Sequence, residues 1–302
     1  MRKLMLVSMM LTVALATQAQ LGRKVAPQME KGLVKTFTEK QVTTMTGQQP
    51  VTITNVAKYT VADTTDDGFL VDIVNNNVKS DAQADNIAGQ FITASAEMMD
   101  GLVIRVVTDK EGKILKIADY AALSKQIDKR ADETAAKMLK AMPQMEQALP
   151  KDALKAQIME ECGEQTLLAT LQQNASSAMM LNGKTIMTGA QESYVDQKGI
   201  KMKRMYFVNG DNITVSSNLD MTKDELKALI IAKVEQSIPD QAAMIKQNID
   251  QLMDSGMLKL EMKESATYEL QADGWVKTIK VETTSDSLGQ QAKFSTEVTA
   301  IQ

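Results

Sequence analysis

Histidine is absent from this 302-residue chain, and cysteine occurs once, at Cys162. The first absence removes the commonest general base, the commonest zinc ligand and every Ser–His or Cys–His nucleophile pair. The second excludes a disulfide scaffold. Cys162 sits in a helical stretch, where it reads as a small core hydrophobe, with a reactive thiol as the alternative. A basic stripe is also missing: 34 Lys and Arg face 38 Asp and Glu, so nucleic acid and anionic membranes are not expected partners. There is no G-x-S-x-G elbow, phosphate loop or dinucleotide fingerprint. The chain is therefore expected not to be an enzyme and to carry no cofactor and no metal.

Long apolar runs are lacking beyond the first. Arg2 and Lys3 precede Leu4 to Ala16, which is broken only by Ser8 and Thr12, and Thr17-Gln18-Ala19 follows. This is the layout of a signal peptide over residues 1–19, cleaved after Ala19, with a cut after Ala16 as the alternative. The run is too short for the ~20 apolar residues of a membrane span, and no cysteine follows it to take a lipid anchor. The expectation is a soluble periplasmic or secreted protein with no transmembrane segment after cleavage. Its net charge would be −6 without the two basic residues of the leader. Residues 20–302 then form a single domain, with pseudo-halves at about 20–180 and 181–302.

Turn residues divide that domain into strands at 33–46, 51–63, 68–79, 102–108, 112–118, 185–196, 199–208, 211–218, 257–271, 274–284 and 290–301. The turns are marked by Asp67-Gly68, Lys110-Glu111-Gly112, Gln197-Lys198-Gly199, Asn209-Gly210, Asp273-Gly274 and Ser287-Leu288-Gly289. Within 257–271, Leu258, Leu260, Met262, Ala266, Tyr268 and Leu270 share one face and Lys259, Glu261, Lys263, Ser265, Thr267 and Glu269 the other. Such a period of two, with one wet face, predicts an antiparallel sheet.

Helical spacing is equally plain. Asp81 or Asp85 opens a helix carrying Ile87, Phe91, Met98 and Met99. From Asp119 to Met142 a stripe runs through Leu123, Ile127, Ala131, Ala135, Met138 and Met142. Pro150 opens a further helix with Leu154 and Ile158. Thr222-Lys223-Asp224-Glu225 is a capping box ahead of Leu226, Leu229, Ile230 and Val234, and Pro239 restarts the chain with Ala242, Ile245, Ile249 and Leu252. The fold class is α+β: a curved, mostly antiparallel sheet of about eleven strands, an unclosed half-barrel, wrapped around helical insertions.

This order of strands and helices behind a leader resembles the periplasmic lipoprotein-carrier (LolA-like) half-barrel. Tyr59-Thr60-Val61, Thr65-Asp66-Asp67-Gly68-Phe69 and Val106-Val107-Thr108-Asp109-Lys110-Glu111-Gly112-Lys113-Ile114 are similar to hairpins of uncharacterised secreted bacterial domains. The resemblance implies a carrier or binder of apolar ligands and offers no catalytic residues.

Methionine is the enriched residue, with 22 in the chain and eighteen outside the leader. Flexible thioethers suit a surface that repacks around varied apolar ligands, and an ordinary methionine-filled core is the competing reading. Met142-x-x-Met145 and Met202-x-x-Met205 have the spacing of copper sites but lack histidine. Asp63 to Gly68 begins like a calcium loop, yet Val74 stands where the bidentate Glu belongs, so it reads as an acidic hairpin turn. Glu264 falls on the apolar face of its strand, and Lys277, sharing parity with Trp275 and Ile279, is a candidate partner for it.

The leading hypothesis is a non-enzymatic binding or carrier protein whose partner is an apolar, lipid-like ligand or a lipoprotein acyl chain. The sheet would contribute Tyr206, Leu260, Met262, Tyr268, Trp275, Ile279 and Phe294, and the helices Met138, Met142, Ile230 and Val234, all as apolar contacts. The alternative is a structural or interaction module of the cell envelope with a filled core. A histidine-free hydrolase is a third hypothesis.

Overall fold

Alternation of inward and outward side chains organises the long strands. The computed structural model describes residues 22–83, 86–141, 143, 146, 149–196, 199–237, 239–254, 260–287 and 290–301. The predicted leader and Met142 lie outside them. In chain order the elements are β1 (Gly22–Lys24), β2 (Val34–Met45), β3 (Val51–Thr65), β4 (Gly68–Ser80), α1 (Ile87–Met98), β5 (Val103–Asp109), β6 (Ile114–Ile117), α2 (Tyr120–Ala141), α3 (Lys151–Glu161), α4 (Glu164–Gln173), β7 (Thr185–Met187), β8 (Gln191–Val195), β9 (Lys201–Asn209), β10 (Asn212–Leu219), α5 (Lys223–Ser237), α6 (Pro239–Asp254), β11 (Leu260–Leu270), β12 (Val276–Ser287) and β13 (Gln290–Ala300).

Eleven strands make one antiparallel sheet in the order β6-β5-β4-β3-β2-β13-β12-β11-β10-β9-β8, which is not closed into a barrel. Two meanders run outward from a central β2–β13 pair. Every other neighbour is consecutive in sequence among the strands of this sheet; only the β2–β13 pairing, with Phe37 opposite Ala300 and Thr44 opposite Lys293, joins distant parts of the chain. The α+β half-barrel expectation holds.

One face of the sheet is apolar at one end and polar at the other. Across β9–β13, Val208, Ile213, Tyr268, Ile279 and Val298 stand in one row, and Tyr206, Val215, Ala266 and Val281 in the next. These rows join Phe37, Tyr59 and Trp275 in a buried core with α2, α4 and the segment 175–181. Full burial of side chains of this size contributes about 1.5–3 kcal/mol each. Phe37 and Tyr59 meet edge-on at 5.5 Å, and Tyr59 and Trp275 at 6.2 Å. The Trp275 indole N–H donates to the Gln28 carbonyl at 2.9 Å. Gly274 is required beside it: its φ is +83°, and a Cβ there would stand 2.9 Å from the Ala26 carbonyl oxygen.

Helix α2 buries Leu123, Ile127, Ala131, Ala135 and Met138, the described part of the predicted stripe. Ion pairs of 2.9 Å, Asp128–Lys155 and Asp132–Lys151, fasten α3 along it. Arg130 caps the end of α1 by donating to the carbonyls of Met98 and Asp100.

Several sequence expectations change. Helix α1 starts after Asn86, whose side chain accepts from Gly89 N at 2.8 Å, rather than at Asp81; Asp81 instead accepts from Thr52 N, and Asp85 lies outside the described residues. The predicted strand 185–196 is two strands. Gly189, at φ +82°, turns the chain out of the small β1–β7 sheet and into the edge of the large one. Lys277 does not meet Glu264: Glu269 pairs with Thr278 and Leu270 with Val276, so Lys277 is the extra residue of a bulge and turns outward to Glu269 at 2.8 Å. Strand β1 and helix α4 carry no sequence expectation; three residues show no period, and Gly163 begins α4 directly after α3.

Candidate functional site

The open sheet leaves two free edges, β6 and β8, and residues 172–186 span the gap between them. On the β6 side, Gln172 donates to the Ile114 carbonyl at 2.9 Å and Asn182 to the Gly112 carbonyl at 3.4 Å. On the other side Lys184 reaches Glu192 of β8, and Arg204 of β9 reaches the Gln173 carbonyl. A cavity of about 580 Å³ opens at this seam, walled by Ile114, Met179, Met180, Ile186, Tyr194 and Tyr206 and carrying Lys184, Glu192 and Arg204.

Strand register assembles the charged part. Glu192, Arg204, Ser217 and Glu264 are successive cross-strand partners on β8, β9, β10 and β11, a polar row directly beside the apolar one. Alternation along β9 turns Met202, Arg204 and Tyr206 to the same buried face. Arg204 is thus only 2% exposed. Its guanidinium lies over the Tyr194 ring at 3.9 Å. Nη2 donates to Gln173, Nη1 faces the Met180 thioether at 4.0 Å, and Nε has no hydrogen-bond partner. Among the described residues that Nε is the one buried side-chain nitrogen or oxygen left without a partner, and Arg204 makes no salt bridge.

Around it the protonation states are held apart. The Glu192 carboxylate accepts from Lys184 at 2.8 Å and from the Tyr206 hydroxyl. Burial opposes its charge, but these donors and the fields of Lys184 and Arg204 hold the carboxyl below its ordinary range. Burial and the bond to Glu192 push the Tyr206 phenol up. Burial also pushes Glu264 up, against the pull of Arg204 and the 3.2 Å hydrogen bond from Ser217.

Among the predicted contact residues, Tyr206 lines this cavity. Tyr268, Trp275 and Ile279 share the main core with it but are sealed there; Tyr268 is further tied to the Ala175 carbonyl at 2.6 Å. Met138 belongs to a second small cluster with Ala94, Ala135, Leu139 and Leu154. Ile230 and Val234 lie half-buried on α5, and Leu260, Met262 and Phe294 half-buried on their strands. Lys184, Glu192, Tyr194 and Arg204 are not among the residues expected from the sequence. The signal for Arg204 is parity: it stands between Met202 and Tyr206 on the apolar face of a predicted strand, as Glu264 does on its own strand. Asp63, in the calcium-like turn, pairs with Lys31 at 2.9 Å. Among the described residues no group of three or more His, Cys, Asp or Glu is placed to hold a metal ion, and no helix is long and apolar enough to cross a membrane.

No family model matches the sequence, and no curated protein matches it. Among solved structures, a lipovitellin chain from a study of lipid–protein interactions is 8% identical at a TM-score of 0.39, covering 91% of this chain and 26% of its own. The chain thus spans about a quarter of the lipovitellin chain it matches. A porin-like protein from Bacteroides uniformis is 7% identical at a TM-score of 0.19, over 90% of this chain and 97% of its own.

Proposed function

We propose that this chain is an exported, non-enzymatic binding or carrier protein that holds an apolar, lipid-like ligand in the seam cavity of its open half-barrel. The carrying observation is the cavity itself: about 580 Å³ between the two free edges of the sheet, with methionine, isoleucine and tyrosine side chains on its wall among glutamine, asparagine and charged groups. That volume falls within the ~300–1,000 Å³ of small-molecule sites. Met179 and Met180 supply adaptable surface. The protonation pattern favours binding over catalysis. Glu192 is already engaged by two donors and Tyr206 keeps its proton, so the pair is not set as base and nucleophile. The leader-like residues 1–19 support export, and the resemblance to periplasmic lipoprotein carriers agrees in kind.

The second reading, an envelope module with a filled core, draws on the sealed cluster around Tyr268, Trp275 and Ile279. Native mass spectrometry with lipid extraction, on protein purified from its own compartment, separates the two. A copurified apolar molecule is expected with the unaltered chain and is expected to be lost from Ala190→Trp, which fills the cavity, with the circular dichroism spectrum unchanged. Consistent absence of such a molecule, or its retention by Ala190→Trp, would overturn the carrier reading.

A further inference from the structure

We infer that the ligand of the seam cavity is acid-headed, with one carboxylate meeting Arg204 and Lys184. This rests on the binding-protein reading and names the chemistry of its ligand. The central observation is an incomplete arginine. Arg204 is 2% exposed and lines the cavity, yet Nε has no acceptor and Nη1 reaches a thioether at 4.0 Å. A guanidinium carries five N–H donors and cannot shed its charge. Buried donors of a charged group are costly to leave unmade. Strand register alone would permit a plain hydrophobe here, because Met202 and Tyr206 occupy the neighbouring inward positions.

Three cationic side chains line the cavity, the exposed Lys113, the half-buried Lys184 and the buried Arg204, against one carboxylate, Glu192. Glu192 is spent on Lys184 and Tyr206, and Arg204 has no salt bridge among the described residues. Ser217 donates to Glu264, and burial works against that carboxylate's charge. One monoanion would give Arg204 an ion-pair partner, and a planar carboxylate suits a guanidinium fork. Met180 holds the ligand's place: sulfur is a weak acceptor on a flexible side chain, so an oxygen displacing it from Nη1 exchanges a weak contact for a charge-assisted bond. The apolar part of the same molecule would lie against Met179, Ile186 and Ile114.

The test titrates the purified, delipidated protein with laurate, dodecanol and dodecyl phosphate, which share one chain and differ in head. Laurate is expected to bind about tenfold or more tighter than dodecanol, the scale of one hydrogen bond to a charged group, and tighter than dodecyl phosphate. Arg204→Met is expected to erase the preference for laurate while dodecanol affinity stays within about twofold. Lys184→Gln provides a second variant should Arg204→Met not fold, with the preference reduced. Equal binding of laurate and dodecanol would overturn the acid-head inference and leave the carrier reading standing. A preference for dodecyl phosphate, or a laurate preference untouched by the variants, would overturn it too. Binding of none of the three would overturn the carrier reading, and the inference with it.

Discussion

Two inward-facing carboxyl groups show what burial does to a single residue. Glu39 lies opposite Val298 in the register, on the face that also carries Ile279 and Tyr268. Burial raises its pKa, while hydrogen bonds from Asn55, at 3.1 Å, and Ser176 pull the other way. Glu264 is raised by the same cause. A raised carboxyl pKa means the folded state holds its proton more tightly than the unfolded chain does. The associated stability is present below the ordinary glutamate pKa of about 4.3 and is lost as pH rises through the folded value. Glu39→Gln keeps an acceptor for Asn55 and removes the charge. Thermal melts from about pH 4 to 7 should show a higher midpoint at neutral pH and a flatter pH dependence for the variant. A variant less stable than the parent throughout would show that the ionised form is the one the fold prefers. The neighbouring Tyr59 phenol, pushed up to about 12 by burial and by Glu39, stays protonated in that range.

At the scale of elements, the α5–α6 hairpin is tied at its ends and by its charges. The capping box forms as expected: Thr222 N donates to Glu225 at 2.9 Å, and Glu225 N donates to the Thr222 hydroxyl at 3.3 Å. Lys223–Asp254 and Lys227–Asp250 lace the two helices at 2.5 and 2.7 Å. Lys201 of β9 ties the start of α5 to the sheet through Glu225. That ion pair, followed by the two donors of Thr222, lowers the Glu225 carboxyl to about 2. A lowered carboxylate contributes stability above its ordinary pKa of about 4.3 and loses it as pH falls through the folded value. Amide hydrogen exchange should therefore report loosening of the first turn of α5 as pH drops from about 4 towards 2, ahead of α2. Thr222→Ala should cost about 1 kcal/mol in urea unfolding and bring the same local loosening to neutral pH. Unchanged exchange in that turn would show that the box contributes nothing there.

Taken whole, the molecule depends on one long-range seam within its sheet. All other ladders of the large sheet close between strands that follow one another, whereas β2 and β13 come from opposite ends of the described chain. Both meanders need that pairing to present a continuous face to the helices. Val298, on β13, is buried between Ile279 and Glu39. Val298→Pro removes a ladder donor in a central strand and should cost on the order of 3 kcal/mol or more. It should also split a single denaturation transition into two, read by Trp275 fluorescence and by circular dichroism. One unaltered transition would mean that the halves cohere without this pairing. Refolding should be slow for the chain's size, since loop closure precedes the contacts that reward it.

Most of the elements were legible in advance because their signals are local. Period-two alternation outlined β11 and its neighbours, the stripe from Leu123 to Met138 outlined α2, and glycine-bearing turns marked the hairpins. The misreadings sit where local parity is interrupted. Lys277 turns outward because a bulge adds one residue, and Gly189 divides what reads as one strand. The candidate site was legible only as an anomaly, a charge between Met202 and Tyr206. Its cavity wall comes from β6, α4, 175–186, β8 and β9, segments whose proximity no periodicity expresses.

By itself, then, the sequence determined the hairpins, the helical stripes, the lack of a disulfide scaffold and the absence of histidine chemistry, since each follows from composition, neighbouring side chains and backbone preference. Tertiary structure decided three things: that β2 meets β13, that the edges β6 and β8 stay apart with residues 172–186 between them, and that Arg204 is enclosed there with an unspent donor. All three follow from which distant surfaces are buried against one another. Burial is what converts Arg204 from an ordinary charged residue of a strand into a group with a donor left over.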